Sequence, residues 1–317
     1  MKKLKNDLIL ADFLAVMFQK TVLFVRNFVR DESAVSAVFG ALLLLGIFSV
    51  IFSVFLVTAL PAWVMHQESE ERDLLHADVL TFSENAGILS RSAASGFFLP
   101  RTQVLSSRNS TVAADENGGT FLFRADTDLP PEVESILKTG SNPDYFKLSS
   151  GSLLFIENYQ QLPDQFYFYG PAGLILCQED GASFILPPSV YLSRGDSGKI
   201  LLQLSGYIVE CHSSAVSGVN TVICFRNVQT VYAYDFVSEV ELRYVPPTGP
   251  NFGSDSIFYE NRDIAVEYYL SDLASSIQEN FPEIEAVYKS EIAGLTLTSE
   301  TPIELDIQIT VLQVEFE

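Results

Sequence analysis

The sequence predicts an α+β protein: an N-terminal transmembrane and stalk helix, followed by a mainly β, sandwich-like extracellular domain with a helical insertion. Three observations carry this. Ser33 to Gln67 is a run of 35 residues without Asp, Glu, Lys or Arg. From Gly119 to Val245 the apolar pattern repeats every second residue, the period of a strand with one buried face. Charge is also divided along the chain: of the net −21, residues 1–30 carry +4 and the remainder −25.

The divided charge sets the expected topology. Residues 1–34 form a basic leader, with Lys2, Lys3, Lys5, Lys20, Arg26 and Arg30 against Asp7 and Asp12. The uncharged run follows, and then Glu68, Glu70, Glu71 and Asp73. A bilayer core needs about 20 apolar residues in helix, so one span fits with length to spare. Basic residues before the span and acidic ones after it predict a single-pass protein of the cell membrane. Its N-terminus is expected in the cytoplasm and its C-terminal domain outside. The run is too long, and starts too deep in the chain, for an ordinary removable secretory signal.

Residues 35–90 are expected to form one membrane and stalk helix. Ser36/Gly40 and Ala37/Ala41 are small pairs at i, i+4, and Gly46 adds another gap, so helix backbones can approach closely there. Beyond Pro61, the residues Leu74, Leu75, Val79, Leu80 and Phe82 form a helical stripe expected to dock on the globular part. Residues 91–118, rich in Ser, Asn, Gly and Thr, read as an exposed loop. Within them, Asn109-Ser110-Thr111 is a glycosylation sequon on the expected outer side.

Residues 119–317 read as the β-rich domain. Expected strands include 120–125, 152–158, 165–169, 174–178, 183–186, 199–211, 221–228 and 230–236. Residues 131–137 read as a short helix. An amphipathic helix is expected over Asp263–Asn280, with Ile264, Tyr268, Leu273, Ile277 and Phe281 towards one side. Ile303 to Val311 alternates apolar and polar without a fault and is the clearest strand.

The sequence shows no catalytic or metal-binding pattern. Three His and three Cys are too few and too scattered for a zinc framework. Cys211 and Cys224 flank a run of turn formers, so a hairpin would set them opposite one another for a disulfide. Cys177 is the open alternative partner for either. Arg194-Gly195-Asp196-Ser197-Gly198 contains the Gly-Asp-Ser-Gly of serine proteases, but neither His66 nor His76 belongs to that part of the chain. A hairpin turn accounts for it. No cofactor is expected, and the acidic charge argues against nucleic acid as a partner.

Arg30-Asp31-Glu32-Ser33-Ala34-Val35-Ser36-Ala37-Val38-Phe39-Gly40 resembles the N-terminal signature of archaeal type IV pilin-like proteins. There a charged leader precedes an A-V-S-x-V-I-G segment that opens a long hydrophobic helix. The resemblance covers roughly residues 30–90 and implies cleavage of Ala34–Val35 by a prepilin-type peptidase. Met17 stands where a shorter leader would begin. Ser33 and Ala37 depart from the commoner residues at their positions. The resemblance implies a non-enzymatic minor or accessory subunit of a type IV pilus-like filament, packed through Ser36, Gly40 and Gly46 against other pilin-like subunits. The alternative is an independent membrane-anchored adhesin or envelope-binding protein.

Overall fold

The computed structural model describes residues 34–93, 101–105, 110–126, 138–139, 146–195, 198–218, 221–247 and 256–316. Residues 1–33 of the leader, Asn109 of the sequon, the short helix expected over 131–137 and the Asp196–Ser197 pair lie outside them. The chain forms two compact units, Met1–His66 and Gln67–Glu317. The described part of the first is helix alone, the beginning of α1 (Ala34–Ala93), which runs on through Pro61. The described part of the second holds the rest of α1 and the strands.

The strands are β1 (Arg101–Val104), β2 (Ser110–Asp115), β3 (Thr120–Ala125), β4 (Lys138–Thr139), β5 (Phe146–Ser149), β6 (Ser152–Glu157), β7 (Gln165–Gly170) and β8 (Gly173–Gln178). After them come β9 (Gly181–Leu186), β10 (Ser189–Arg194), β11 (Ile200–Glu210), β12 (Ser214–Ser217) and β13 (Val222–Val245). Helix α2 (Ser256–Asn280) then leads to β14 (Ile284–Lys289) and β15 (Gly294–Phe316).

Two sheets result. The larger has the order β10-β11-β15-β13-β3-β5-β4, with β1 also paired to β13 and β14 to β15. The smaller has the order β12-β2-β6-β7-β8-β9. Among the described residues, all pairings are antiparallel except β11 with β15. The last strand of the chain is therefore central to the larger sheet, between β11 and β13.

The central strands of the smaller sheet are buried on both faces. Ala113, Leu154, Phe166, Phe168 and Ile175 face a core shared with α2 and the larger sheet. Their neighbours Val112, Leu153, Phe155, Tyr167 and Tyr169 face a second core, closed by Leu75, Val79, Phe82, Ala86 and Leu89 of α1. A sheet buried on both sides has no polar alternation to display, which explains the unbroken apolar character of Gln165-Phe166-Tyr167-Phe168-Tyr169.

Several expectations need correction. Residues 91–118 are not simply an exposed loop: they include β1 and β2, and β2 is buried along nearly its whole length. Its Ser, Thr, Ala and Asp residues resemble loop composition, but small side chains suit a strand packed tightly on both faces. The two strands expected over 221–236 are one, β13, with a bulge between Asn227 and Gln229. That extra residue shifts the pattern and imitates a strand end. Helix α2 begins at Ser256 and buries Phe258, Tyr259, Arg262, Ala265, Val266, Leu270, Ala274 and Ile277. Of the expected face, Ile277 is buried and Leu273 and Phe281 pack against the core, whereas Ile264 and Tyr268 lie on the exposed side.

Candidate functional site

The first candidate is the apolar part of α1. Its large side chains from Phe39 to Met65 are mostly exposed, and no residue in its most apolar 18-residue stretch is buried. The helix is long and apolar enough to cross a membrane. Thr58 Oγ1 donates to Val54 O at 2.7 Å, which hides its hydroxyl within the helix. Ala34, Val35, Ser36 and Gly40 are all in helical backbone. A Cβ added at Gly46 would meet nothing within 4 Å, so that gap in the helix surface is open to a neighbour.

Further along α1, a polar clamp precedes the apolar seam. Glu68 is buried, and its carboxylate accepts from three successive backbone N–H groups: Gln160 at 2.7 Å, Gln161 at 3.0 Å and Leu162 at 3.0 Å. Converging amides of this kind form a concave anion site, here filled by the protein's own side chain. Two helical turns later, His76 Nδ1 lies 3.3 Å from Tyr167 Oη, and Tyr167 Oη donates to Gln165 Oε1 at 3.1 Å. With that proton committed, the Tyr167 oxygen accepts from His76 Nδ1–H. Tyr159 donates a very short hydrogen bond to the buried Glu157. Burial, then the Glu157 hydrogen bond and charge, push the Tyr159 phenol far above its ordinary range. Burial and Glu157 push Tyr167 up to about 12. Both phenols remain protonated and donate to residues of the smaller sheet, Tyr159 to Glu157 and Tyr167 to Gln165, while His76 ties Tyr167 to α1. Neither is poised as a base.

A second polar group lies between α2 and the sheets. Arg262 lies against an edge-to-face pair, Phe168 and Tyr259, its guanidinium carbon 5.1 and 5.2 Å from ring centres that are themselves 5.1 Å apart. It donates to Asp263 Oδ1 at 2.7 and 2.9 Å, and Tyr244 Oη donates to the same oxygen at 3.4 Å. Burial raises the Asp263 carboxyl, although Arg262 and Tyr244 oppose the shift. This group is enclosed and fixes the packing of α2. Its only sequence signal is a cation on the buried side of an amphipathic helix, just before the first residue of the expected helix, Asp263.

The expected Cys211–Cys224 bridge is not formed, and the thiols form no other disulfide. The reason is topological. Strand β15 separates β11 from β13: Glu210 is level with Gln313, and Cys224 with Glu315. Two strand spacings are roughly 9–10 Å. Cα atoms more than about 7 Å apart cannot be bridged without moving backbone. The turn formers between the two cysteines contain β12, which crosses to the smaller sheet. Cys211 Sγ instead donates to Asp115 O at 3.5 Å. Burial, then Asp115 and Glu116, push its thiol up to about 12, and burial does the same to Cys177. Neither is a nucleophile at neutral pH.

The Gly-Asp-Ser-Gly segment joins β10 to β11 in an antiparallel hairpin, with Gly195 N–H donating to Lys199 O. Gly198 has φ +77°, the left-handed backbone that glycine adopts without penalty. His212 is fully exposed and its Nδ1 lies 3.8 Å from Glu116. Among the described residues, no group of three or more His, Cys, Asp or Glu could hold a metal ion.

Comparison of the chain with protein-family models, curated proteins and solved structures finds no match.

Proposed function

We propose that this chain is a pilin-like, single-pass surface protein whose α1 enters the membrane and whose β domain lies outside. Exposed apolar side chains on the first half of α1, with no residue of an 18-residue stretch buried, carry this reading. Such a surface is stable only in lipid or against other apolar helices. The basic leader and the acidic cluster after the run support the orientation. The pilin-type residues Ala34-Val35-Ser36 support processing by a prepilin-type peptidase, followed by packing against other pilin-like subunits through Ser36, Gly40 and Gly46. A β domain of this size favours a minor or accessory subunit.

The second reading is an independent anchored adhesin or envelope-binding protein. The exposed Tyr232, Tyr234 and Phe236 on β13 favour it, because a mere spacer domain has no need of an aromatic stripe. N-terminal sequencing of the membrane-extracted protein separates the two. A mature start at Val35 supports the pilin-like reading, and an intact leader contradicts it. Gly40→Leu is expected to preserve insertion but abolish crosslinking to neighbouring subunits, because it holds the backbones apart.

A further inference from the structure

We infer that the outer face of the larger sheet, with the cleft beside it, binds a neutral glycan chain. The ladder of that sheet puts Tyr191, Gln203, Asp306 and Tyr234 in one row across β10, β11, β15 and β13. Three strand spacings separate the outer two, roughly 14 Å. Tyr191 and Tyr234 are each about 60% exposed, and between them Gln203 Nε2 donates to Asp306 Oδ2 at 3.2 Å. The rows on either side repeat the theme. Phe236 is level with Glu304, and Tyr232 with Gln308. One strand therefore presents three aromatic rings, and the next presents carboxylates and an amide.

The face opposite this one packs in the core, through Val231, Ala233, Ile307 and Ile309. Strand alternation then requires the stripe to point outward. The stripe also continues into a concave site. Tyr191 and Ser205 belong to a cleft of about 470 Å³ whose other walls include Tyr169, Tyr207, Ser83 and Glu84. The cleft and the row share Tyr191, so a chain lying along the row can place its end in the cleft.

The chemistry of the surface selects the ligand. A pyranose ring has an apolar C–H face and an edge of hydroxyls, matching aromatic rings set beside carboxylate and amide acceptors. The alternation breaks up the apolar area, which suits a sugar better than a helix or a lipid surface that needs a continuous patch. The charge selects against an anionic ligand. Lys199 Nζ lies 3.3 Å from Glu304 and 4.7 Å from the Phe236 ring centre and offsets that carboxylate, while Asp306 leaves the platform acidic on a chain of net −21. An anionic polymer would be repelled by the whole molecule and meet little positive charge at the site. A neutral glycan meets no such barrier.

The inference depends on the exposure of this face and not on filament assembly. A test in solution can therefore fail without bearing on where α1 resides. The full chain, solubilised in a detergent without a sugar headgroup, is passed over columns carrying neutral hexose, neutral N-acetylhexosamine or uronate oligomers. Retention on at least one neutral column is expected, with little on uronate. Tyr234→Ala and Tyr191→Ala are each expected to weaken retention about tenfold, as truncation of a central contact aromatic does. Tyr234→Phe should retain most of the binding, and Tyr268→Ala, on the exposed side of α2, should change nothing. Circular dichroism confirms that each variant is folded. Absence of retention on every neutral column overturns the inference, as does retention indifferent to Tyr191→Ala with Tyr234→Ala. A change in oligomeric state on Tyr234→Ala, without glycan binding, assigns the face to contact between copies and overturns it too.

Discussion

Phe82→Ala removes the side chain that holds the second half of α1 to both sheets at once. Phe82 is fully buried, with ring centres 5.8 Å from Phe155, 5.2 Å from Tyr169 and 4.8 Å from Phe225. The first two neighbours belong to the smaller sheet and the third to the larger. Core Phe→Ala changes cost about 3–5 kcal/mol, and the figure depends on how far the surroundings collapse. Here three aromatic walls on two different sheets cannot close on one void together, so about 4 kcal/mol is expected. That is a large share of the 5–15 kcal/mol typical of a whole domain. In a domain of this length about 1 kcal/mol moves the midpoint by about 2–4 °C, so thermal unfolding should shift down by about 8–16 °C. The assay is the loss of β circular dichroism from the full chain in detergent. Phe52→Ala, in the exposed apolar part of α1, is the control and should leave that midpoint unchanged. A shift below about 3 °C for Phe82→Ala would refute the claim that this ring closes the second core.

Three further outcomes are expected. Glu68→Ala strips three backbone N–H groups of their acceptor; at about 1.5–3 kcal/mol for charge-assisted bonds, limited proteolysis should open the chain near residues 158–164. Reductant should leave the melting temperature unchanged, and peptide mapping should find Cys177, Cys211 and Cys224 all alkylatable after unfolding without reduction. Burial tends to raise the Asp126 carboxyl, but hydrogen bonds from Ser238 and Glu239 outweigh it and lower the value below 3.8. A depressed carboxyl contributes stability above its unfolded pKa and loses it as pH falls through the folded one. The stability gap between the native chain and Asp126→Asn should therefore be present at pH 6 and close below pH 3.8, in paired melting curves.

The sequence reveals elements that have one wet side and one dry side. Ile303 to Val311 alternates because Ile303, Leu305, Ile307 and Ile309 enter a core while Glu304, Asp306 and Gln308 do not. The apolar run of α1 is legible because lack of charge over 35 residues needs no knowledge of tertiary structure. Strands buried on both sides hide themselves. Residues Ser110 to Asp115 resemble a loop because small polar side chains pack there between β6 and β12. Partner choice is hidden for another reason. Cys211 and Cys224 are close in sequence, but the strand that separates them arrives some 70 residues later, and no local signal announces it. The polar clamp has the same character, since Glu68 finds its amides more than 90 residues away. The aromatic row joins Tyr191, Asp306 and Tyr234 from three separate stretches of chain. Each strand shows its own alternation, and only the pairing assembles them into one surface.

The central claim is that α1 is held in the membrane while the β domain stands outside, and protease shaving of intact cells tests it most directly. Protease added to the medium should degrade the β domain, residues 101 onward, and leave a membrane-bound fragment containing the uncharged run of residues 33–67. That fragment should resist extraction by alkaline carbonate. A β domain that survives in intact cells and is digested only after lysis would contradict the orientation. Release of the whole chain by carbonate would contradict insertion itself.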